Sequence, residues 1–332
     1  MSRPSVLGAL CMACGVALAL AAVAQGAAAQ TAAYPSRLIK LVNPYAAGGP
    51  FDLVAREVAK PLSEALGQQI VIENRPGAGA TLGADYVARS APDGYTLLLS
   101  GSPSHIIVPA MMSAPPYDGI KDFTPIAMIA TVPNLIVVKP SLPVNSFRTL
   151  IDHARANPGK LSYGSPGNGS IGHLAIELLK QMSGMNMVHV PYKGAAPAVA
   201  DLLGGQIDLA MLNISAALPH IKSGKMRAVA IGTRKRSELL PDLPTIDESG
   251  FRGYDAGTWY GVFAPALLPR PIVNAVYLGL AKVMTSPQIR TRLQEQQGAE
   301  VTLLAPDEFL AHLQKEHGEL VSIIKSIGLK AE

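Results

Sequence analysis

The sequence contains little cysteine, and the positions of its cysteines exclude several kinds of chemistry. Cys11 and Cys14 are the only 2 cysteines among 332 residues, and both fall in an apolar N-terminal segment. The stretch 1–29 combines one arginine, an apolar run and small residues at Ala27 and Ala29, which is the pattern of a secretory signal cleaved after Ala29. We therefore expect the exported chain to have no disulfide, no catalytic thiolate and no cysteine metal ligand. A membrane anchor is the alternative, because the apolar run is nearly long enough to span a bilayer.

Strong charge and paired histidines are also missing. Lys and Arg total 28 against 24 Asp and Glu, so the formal net charge is only +4, and no basic run with interleaved aromatics is present. Nucleic-acid binding therefore lacks its usual footprint, whereas an anionic small ligand suits the mild positive excess. The 7 histidines form no H-x-H or H-x-x-x-H pair. The signature of a metal site is absent, and we expect neither a metal nor a cofactor.

Alternating strand and helix patterns run through the rest of the chain. Strand patterns at 38–42, 70–73 and 96–99 are separated by helical patterns at 53–66 and 84–90. Strands separated in this way form a parallel sheet with crossover helices, so the fold class is α/β. A second series of the same kind follows an apolar run at 126–138, and a strand pattern at 254–265 precedes a mostly helical C-terminal part.

The simplest architecture has two lobes joined by two crossings of the chain. We expect 30–130 plus 258–332 to form the first lobe and 131–257 the second, with crossings near 126–138 and 254–264. Ligands of parallel sheets bind beyond the carboxyl ends of the strands, and a cleft between two lobes is a common ligand site.

The most informative stretch is 161–194, where YGSPGNGSIGHL leads from a short strand into a helix. The first amides of a helix have no internal acceptor and the helix dipole is positive there, so this arrangement binds anions. Gly167, Gly169 and Gly172 also match G-x-G-x-x-G, but the acidic residue that a dinucleotide site needs about twenty positions later is absent from HVPYKG. The pattern favours a carboxylate held by Ser165, Ser170 and the loop amides. Ser170 is suited equally to capping the helix.

Other strand ends supply further candidate ligand-binding residues. In YAAGGPFD, the glycines allow a ligand to approach the backbone, and Asp52 is interpreted as the cap of the next helix. The candidates from these segments are Tyr45, Gly48 and Gly49 in the first loop, Ser100 and Ser102 after the third strand, and Asn213 after the strand at 207–212.

Catalysis is the competing interpretation. Ser170 and His173 lie three residues apart, which allows an exported Ser/His hydrolase of small esters or amides. However, Asn168 occupies the first glycine position of the G-x-S-x-G nucleophile elbow. We expect no catalytic residue.

Nine motifs together give the chain a family resemblance. PYAAGGPFDLVAR, ENRPGAGATLGADYVA, APDGYTLL, DFTPIAMIA, YGSPGNGSIGHL, HVPYKGAAPAVADLLGGQIDLAM, PHIKSGKMRAVAI, LPDLPTIDESG and GVFAPALLPRPIV follow one another from about Pro35 to the C-terminus. The chain resembles the periplasmic solute receptors of tripartite tricarboxylate transporters, also called Bug receptors. This resemblance implies a type II, two-lobed binding protein of the Venus flytrap kind. It also implies a carboxylate gripped between the first loop and the loop at 165–170, by Gly48, Gly49, Ser165, Gly167, Gly169 and Ser170.

The resemblance also implies a partner and a location. We expect a periplasmic, monomeric receptor that delivers a small organic carboxylate to the membrane permease subunits of a tripartite transporter. A receptor that feeds a signalling system is the alternative. Phe51 departs from the family pattern, which commonly has a small or polar residue after GGP. If its ring faces the ligand, an aromatic or longer carboxylate is expected, and a dicarboxylate is a further possibility.

Overall fold

The structure is a computed structural model that describes residues 34–192 and 194–330. The expected signal segment at 1–29, with both cysteines and the alternative of a membrane anchor, lies outside the described residues. Within the described part of the chain, no helix combines the length and the apolar character needed to cross a membrane.

Six strands form the first sheet. In spatial order they are β11 (Glu300–Leu304), β4 (Phe123–Val132), β10 (Thr258–Pro265), β3 (Thr96–Ser100), β1 (Ile39–Asn43) and β2 (Ile70–Asn74). β1 runs parallel to β2 and β3, which confirms the parallel arrangement predicted for the first three strands. β10 runs antiparallel to β3 and β4, and β11 runs antiparallel to β4. The sheet is therefore mixed.

Five strands form the second sheet. In spatial order they are β7 (Val188–Pro191), β6 (Ser162–Ser165), β8 (Leu209–Asn213), β5 (Asn134–Val138) and β9 (Arg227–Ile231). β6 runs parallel to β7 and β8, and β5 runs antiparallel to β8 and β9. The chain passes between the sheets at Pro133 and returns between β9 and β10. The α/β architecture with two sheets is confirmed, and the lobe boundaries at 130/131 and 257/258 stay a prediction.

Helices pack against both sheets. They are α1 (Pro50–Leu66), α2 (Thr81–Ala88), α3 (Val108–Met111), α4 (Phe147–Ala156), α5 (Ile171–Ser183), α6 (Ala195–Leu203), α7 (Ile214–Lys222), α8 (Arg270–Met284), α9 (Pro287–Gln297) and α10 (Pro306–Ser326). A 3₁₀ turn at Ala78–Ala80 precedes α2, and a π-helical turn at Pro103–Ile107 precedes α3.

The sequence explains where α5 begins and how it packs. Ser170 has an extended backbone, and its Oγ accepts a hydrogen bond from the His173 amide at 3.2 Å, so Ser170 is the N-cap. Gly184, with φ of 71°, ends the helix. Gly172 permits close packing, because a Cβ there would lie 2.6 Å from the Met211 carbonyl oxygen of β8. These features place the start of α5 at the carboxyl ends of β6 and β8.

Two elements differ from the sequence-based prediction. β11 lies inside the C-terminal part expected to be mostly helical, and the π-helical turn follows β3, where no element was predicted. All five β11 residues are only partly buried, so this edge strand lacks the alternation of buried and exposed residues that marks a strand.

Each sheet has its own buried cluster. The second sheet packs around Phe147, Tyr163 and Tyr254, whereas the first packs around Phe123, Phe263 and Phe309. Leu174 of α5 belongs to the cluster of the first sheet, and α5 contacts α10. α5 therefore links its own sheet to the core of the other.

Candidate ligand-binding site

A cavity of about 490 Å³ lies where the carboxyl ends of strands from both sheets meet. The segments that follow β1, β2, β3 and β6 line it, together with Asn213 at the end of β8, Met211, and Asn134 and Thr258 at the starts of β5 and β10. Small-molecule sites commonly measure roughly 300–1,000 Å³. None of the described residues that line the cavity is Asp, Glu, Lys, Arg or His. Among the described residues, a ligand here therefore meets backbone, amide, hydroxyl and apolar groups, and no charged side chain.

The loop between β6 and α5 offers unpaired donors to this cavity. The amides of Ile171 and Gly172 have no hydrogen-bond acceptor in the described part of the chain, and both residues line the cavity. Ser170 Oγ donates to the Gly167 carbonyl at 2.7 Å while it caps the helix, so its hydroxyl is already engaged. The first turn of α5 contains no acidic residue. The positive end of the α5 dipole therefore faces the cavity, and no acidic side chain in the first turn neutralises it.

Two stacked histidines pack against this loop and hydrogen-bond to it. His173 Nδ1 accepts a hydrogen bond from the Gly169 amide at 3.2 Å, and the ring stacks on His189 with centroids 3.9 Å apart. His189 Nε2 lies 2.7 Å from Ser165 Oγ. Burial lowers the pKa of His173, and burial together with His173 lowers the pKa of His189 to about 4. Both rings are therefore neutral at neutral pH, and the loop carries no charge.

The loop between β1 and α1 is arranged differently. Gly49 is the N-cap, and Asp52 lies three residues into the helix, so the expected role of Asp52 as the cap itself is wrong. The buried Asp52 carboxylate accepts hydrogen bonds from the Gly48 amide (2.9 Å), Arg56 Nε (2.8 Å) and Asn74 Nδ2 (2.9 Å). Burial acts to raise the pKa of Asp52, but these hydrogen bonds outweigh it and lower the pKa to about 2. A permanent negative charge thus compensates the start of α1.

Tyr45 lines the cavity, whereas Phe51 does not. The Tyr45 ring stacks on Phe51 with centroids 4.2 Å apart, and Phe51 makes an edge contact with Tyr260 at 4.6 Å. Phe51 is only 7% exposed. Tyr45 Oη lies 3.0 Å from Ser104 Oγ, and burial raises the pKa of Tyr45 to about 12, so the hydroxyl stays protonated. Phe51 therefore packs behind the residues that line the cavity, and a contact between its ring and a ligand stays a prediction.

The structure brings five of the eleven candidate residues to the cavity. These are Tyr45, Gly167, Gly169, Ser170 and Asn213. The other six lie away from its lining, namely Gly48, Gly49, Phe51, Ser100, Ser102 and Ser165.

Each of the three serines outside the cavity lining has a hydrogen-bond partner that explains its position. Ser100 Oγ lies 2.6 Å from Ser104 Oγ, Ser102 Oγ donates to Glu316 Oε1 at 2.7 Å, and Ser165 is paired with His189. All three are buried. Their hydroxyls therefore hold neighbouring elements together behind the cavity wall.

Sequence reasoning missed several lining residues. Asn134 and Thr258 are the first residues of strands that run away from the cavity, antiparallel to their neighbours, and a search at carboxyl ends does not find them. Asn134 Nδ2 donates to the Ala256 carbonyl at 2.7 Å, which ties the two crossings together. The signal that could have revealed Asn134 is a polar residue inside the apolar run 126–138. The Asn168 side chain, and Gly77 with Gly79 in the PGAGA loop, are among the other lining residues that were missed.

The serine and histidine geometry does not form a nucleophile and base pair in the cavity. Ser170 Oγ bonds to the His173 amide and the Gly167 carbonyl, and the His173 ring is engaged by Gly169 and His189. Ser165 does contact a histidine ring, but it is 0% exposed and does not line the cavity. A serine nucleophile must reach its substrate.

The described residues also contain no candidate metal site. Within residues 34–192 and 194–330, no group of three or more His, Cys, Asp or Glu side chains could hold a metal ion.

Comparisons with known proteins agree with one another. The model of the tripartite tricarboxylate transporter family receptor matches residues 54–329. The chain is 35% identical to protein BugT of Bordetella pertussis over 317 residues, which cover 95% of this chain and 96% of BugT. It is similar to the structure of R. palustris Rpa4515 with adipate, with 38% identity, a TM-score of 0.73, and coverage of 90% of this chain and 99% of that chain. It is also similar to MatC from Rhodopseudomonas palustris with bound malate, with 33% identity, a TM-score of 0.69, and coverage of 88% of this chain and 100% of that chain.

Proposed function

Because this chain belongs to the tripartite tricarboxylate transporter receptor family, we propose that it is a solute receptor that captures a small organic carboxylate in the cavity between its two sheets. The observation that carries the proposal is the pair of amides, from Ile171 and Gly172, that find no acceptor among the described residues at the start of α5, whose first turn has no acidic residue. Hydrogen bonds from such donors to an ionised carboxylate are stronger than those between neutral groups. Related structures that contain adipate and malate support the same ligand class.

The remaining polar groups of the cavity complete this proposed site. The Asn213 side chain makes no hydrogen bond to the described residues, and the exposed Asn168 makes none either. Both line the cavity, as does Ser170. The ligand carboxylate therefore binds at the start of α5, and Asn213 and Asn168 recognise polar groups on the rest of the molecule.

We also propose how the receptor operates. The segments of the first sheet form one lobe and those of the second sheet the other, and closure about the crossings near Pro133 and Thr258 excludes water from the bound anion. The protein acts in the periplasm as a monomer and delivers its ligand to permease subunits of the transporter. Delivery is tested by measuring uptake of the labelled ligand in cells with and without the chain. A transport receptor predicts less uptake without the chain, whereas a signalling receptor predicts no change.

A ligand screen tests the binding function. The mature protein is heated with mono-, di- and tricarboxylates, with neutral amide analogues as controls. A ligand present at a hundred times its dissociation constant adds about 2.7 kcal/mol of stability, which raises the melting temperature visibly. Stabilisation by a carboxylate and not by its amide is the expected result. A folded, ligand-free protein that responds to no carboxylate would overturn the proposal.

A matched pair of variants tests the amide donors. Ile171 is the first residue of α5, where proline is tolerated, and Ser170 already has the extended backbone that a following proline requires. Ile171→Pro therefore removes one cavity amide and leaves the helix intact. We expect it to bind the carboxylate about tenfold or more weakly than Ile171→Ala, which keeps the amide. Equal affinities would exclude the Ile171 amide as a ligand donor.

The hydrolase interpretation has no observation in its favour, and the same preparation tests it. Activated esters are incubated with the protein and with Ser170→Ala. Turnover that disappears in the variant would replace the receptor proposal with hydrolysis.

A further inference from the structure

Glu316 of α10 joins two chain segments that line the ligand cavity. Its Oε1 accepts a hydrogen bond from Ser102 Oγ at 2.7 Å, and its Oε2 accepts one from Trp259 Nε1 at 2.7 Å. The residues next to these donors in sequence, Pro103 and Thr258, both line the cavity. Glu316 is therefore connected to the cavity wall at two points, in each case through a residue whose neighbour in sequence lines the cavity.

The two donors are fixed, whereas Glu316 retains access to solvent. Ser102 and Trp259 are 1% and 2% exposed, and the Trp259 ring makes an edge contact with Phe309 at 5.4 Å. Glu316 itself is partly exposed and lines a second cavity of about 500 Å³ between α10, β11, the two crossings and the segment after β9. It also borders the gap between α10 and α5, where Ile171 and Leu174 lie. A proton can reach Glu316 without passing through the ligand cavity.

We propose that Glu316 is a positioning residue for carboxylate binding, which holds Pro103 and Thr258 in the cavity wall through Ser102 and Trp259. This inference rests on the proposed function. It assigns a role in ligand binding to a side chain that does not touch the ligand, on a helix more than two hundred residues away in sequence from Ser102.

The charge of Glu316 has a consequence for the ligand. Burial raises the pKa of Glu316 to about 7, against the hydrogen bonds from Ser102 and Trp259 that act to lower it. When Glu316 is ionised, a negative charge lies behind a cavity that has no charged side chain among the described residues of its wall. A bound anion therefore favours the protonated form of Glu316. By linkage, binding takes up a proton, and the affinity for a carboxylate falls as the pH rises through about 7.

Nearby charged groups do not neutralise Glu316. The charged or titratable residues that line the second cavity with it are Arg234, Lys235, Asp255, Glu300, His312, Lys315 and Glu319. Arg234 pairs with Asp255 at 3.6 Å and Lys315 with Glu319 at 3.5 Å, so two of the three cations are engaged elsewhere. The Asp255 and Glu319 carboxylates act to raise the pKa of Glu316 further.

The bridge itself survives protonation. A protonated Glu316 can donate to Ser102 Oγ and still accept from Trp259 Nε1, because a hydroxyl both donates and accepts whereas the indole only donates. A glutamine at this position makes the same two bonds without a charge. Glu316→Gln therefore separates the bridge from the titration.

The test combines affinity with the fluorescence of the single tryptophan, Trp259. The probe is adipate, or, if adipate does not bind, the carboxylate that stabilises the wild type most in the screen. Affinity and ligand-free fluorescence are measured from pH 5.5 to 8.5 for the wild type, Glu316→Gln, Glu316→Leu, Ser102→Ala and the control Glu319→Gln. Ser102→Ala removes one arm of the bridge and serves if Glu316→Leu does not fold.

Four results are expected. Wild-type affinity falls as the pH rises, with a fluorescence change centred near pH 7. Glu316→Gln binds within about threefold of the wild type at pH 6, and both of its pH responses are flat. Glu316→Leu and Ser102→Ala bind more weakly at every pH, by about tenfold and about threefold. Glu319→Gln keeps the bridge and both pH responses, with midpoints at a lower pH than in the wild type, because it removes a carboxylate that raises the pKa of Glu316.

The possible failures are distinguishable. If the wild type binds no carboxylate, the proposed function fails and this inference fails with it. If the wild type binds but Glu316→Leu and Ser102→Ala bind equally well, only the positioning role is overturned. If the bridge variants weaken binding but Glu316→Gln keeps the pH response of the wild type, the linkage to Glu316 is overturned and the positioning role stands.

Discussion

The two glycine-rich loops at the starts of α1 and α5 have the same hydrogen-bond plan and opposite electrostatics. In each, the third helical residue accepts a hydrogen bond from the amide of the glycine that precedes the N-cap: Asp52 from Gly48, and His173 from Gly169. Asp52 is an ionised carboxylate, whereas His173 is a neutral imidazole. The first loop lines the cavity with Pro44, Tyr45 and Ala46, but only the second brings its N-cap and its first helical residues, Ile171 and Gly172, to the cavity. On the proposed function, a glycine loop at a helix start binds an anion when no side chain already supplies the anion.

Giving the second loop the charge of the first should have the largest effect. His173→Asp keeps an acceptor near the Gly169 amide and adds a negative charge at the start of α5. We expect carboxylate affinity to fall about a hundredfold, ~2.7 kcal/mol, relative to His173→Asn. The two variants have the same size and lose the same stacking on His189, so their difference measures charge alone. Isothermal titration calorimetry measures both, and equal affinities would refute the electrostatic account of the comparison.

Removing the charge from the first loop should affect stability instead of binding. The pKa of Asp52 lies near 2, below its ordinary value of 3.8, so its stabilisation is complete above pH 4 and is lost as the pH falls through 2. This shift corresponds to about 2 kcal/mol. Asp52→Asn should lower the free energy of unfolding at pH 7 by about that amount and flatten the pH dependence between 4 and 2. Urea denaturation measures both, and a large loss of carboxylate affinity in the folded variant would show that the charge of Asp52 acts on ligand binding.

Two matched glycines sharpen the comparison further. Gly48 and Gly169 have φ of 78° and 73°, a conformation that costs a residue with a side chain about 1 kcal/mol. A Cβ at Gly48 meets nothing within 4 Å, whereas one at Gly169 would lie 2.7 Å from Met111 Sδ. We expect Gly48→Ala to lose about 1 kcal/mol of stability and Gly169→Ala to lose more, because Met111 must also move. Only Gly169→Ala should also lose affinity, by about tenfold.

Calorimetry and urea denaturation of both glycine variants check this expectation. Weakened carboxylate binding in Gly48→Ala would show that the two loops act together on the ligand.

Much of the local structure was predictable from sequence, because it depends on neighbouring residues. The Ser170 cap, the strand before it and the helix after it follow from patterns within about ten residues. Which of the two glycine loops brings its first helical residues to the cavity was not predictable, because this depends on tertiary partners. Asp52 is held by Asn74, 22 residues away, and Ser102 is drawn from the cavity by Glu316, 214 residues away. No local pattern contains those contacts.

The direction of the strands explains the other failures. Asn134 and Thr258 start strands that run against their neighbours, and a rule that looks only at carboxyl ends passes over them. β11 was missed because an edge strand of five half-buried residues carries almost no periodic signal.

The described residues that line the cavity carry no charge, and this has a consequence for how fast the proposed ligand exchanges. With these residues the ligand forms no ion pair that must be broken on departure, and they provide no charge that attracts it over long distances. Association should therefore depend weakly on ionic strength. Because the dissociation constant is the ratio of the release and association rate constants, slower association at a given affinity means slower release as well.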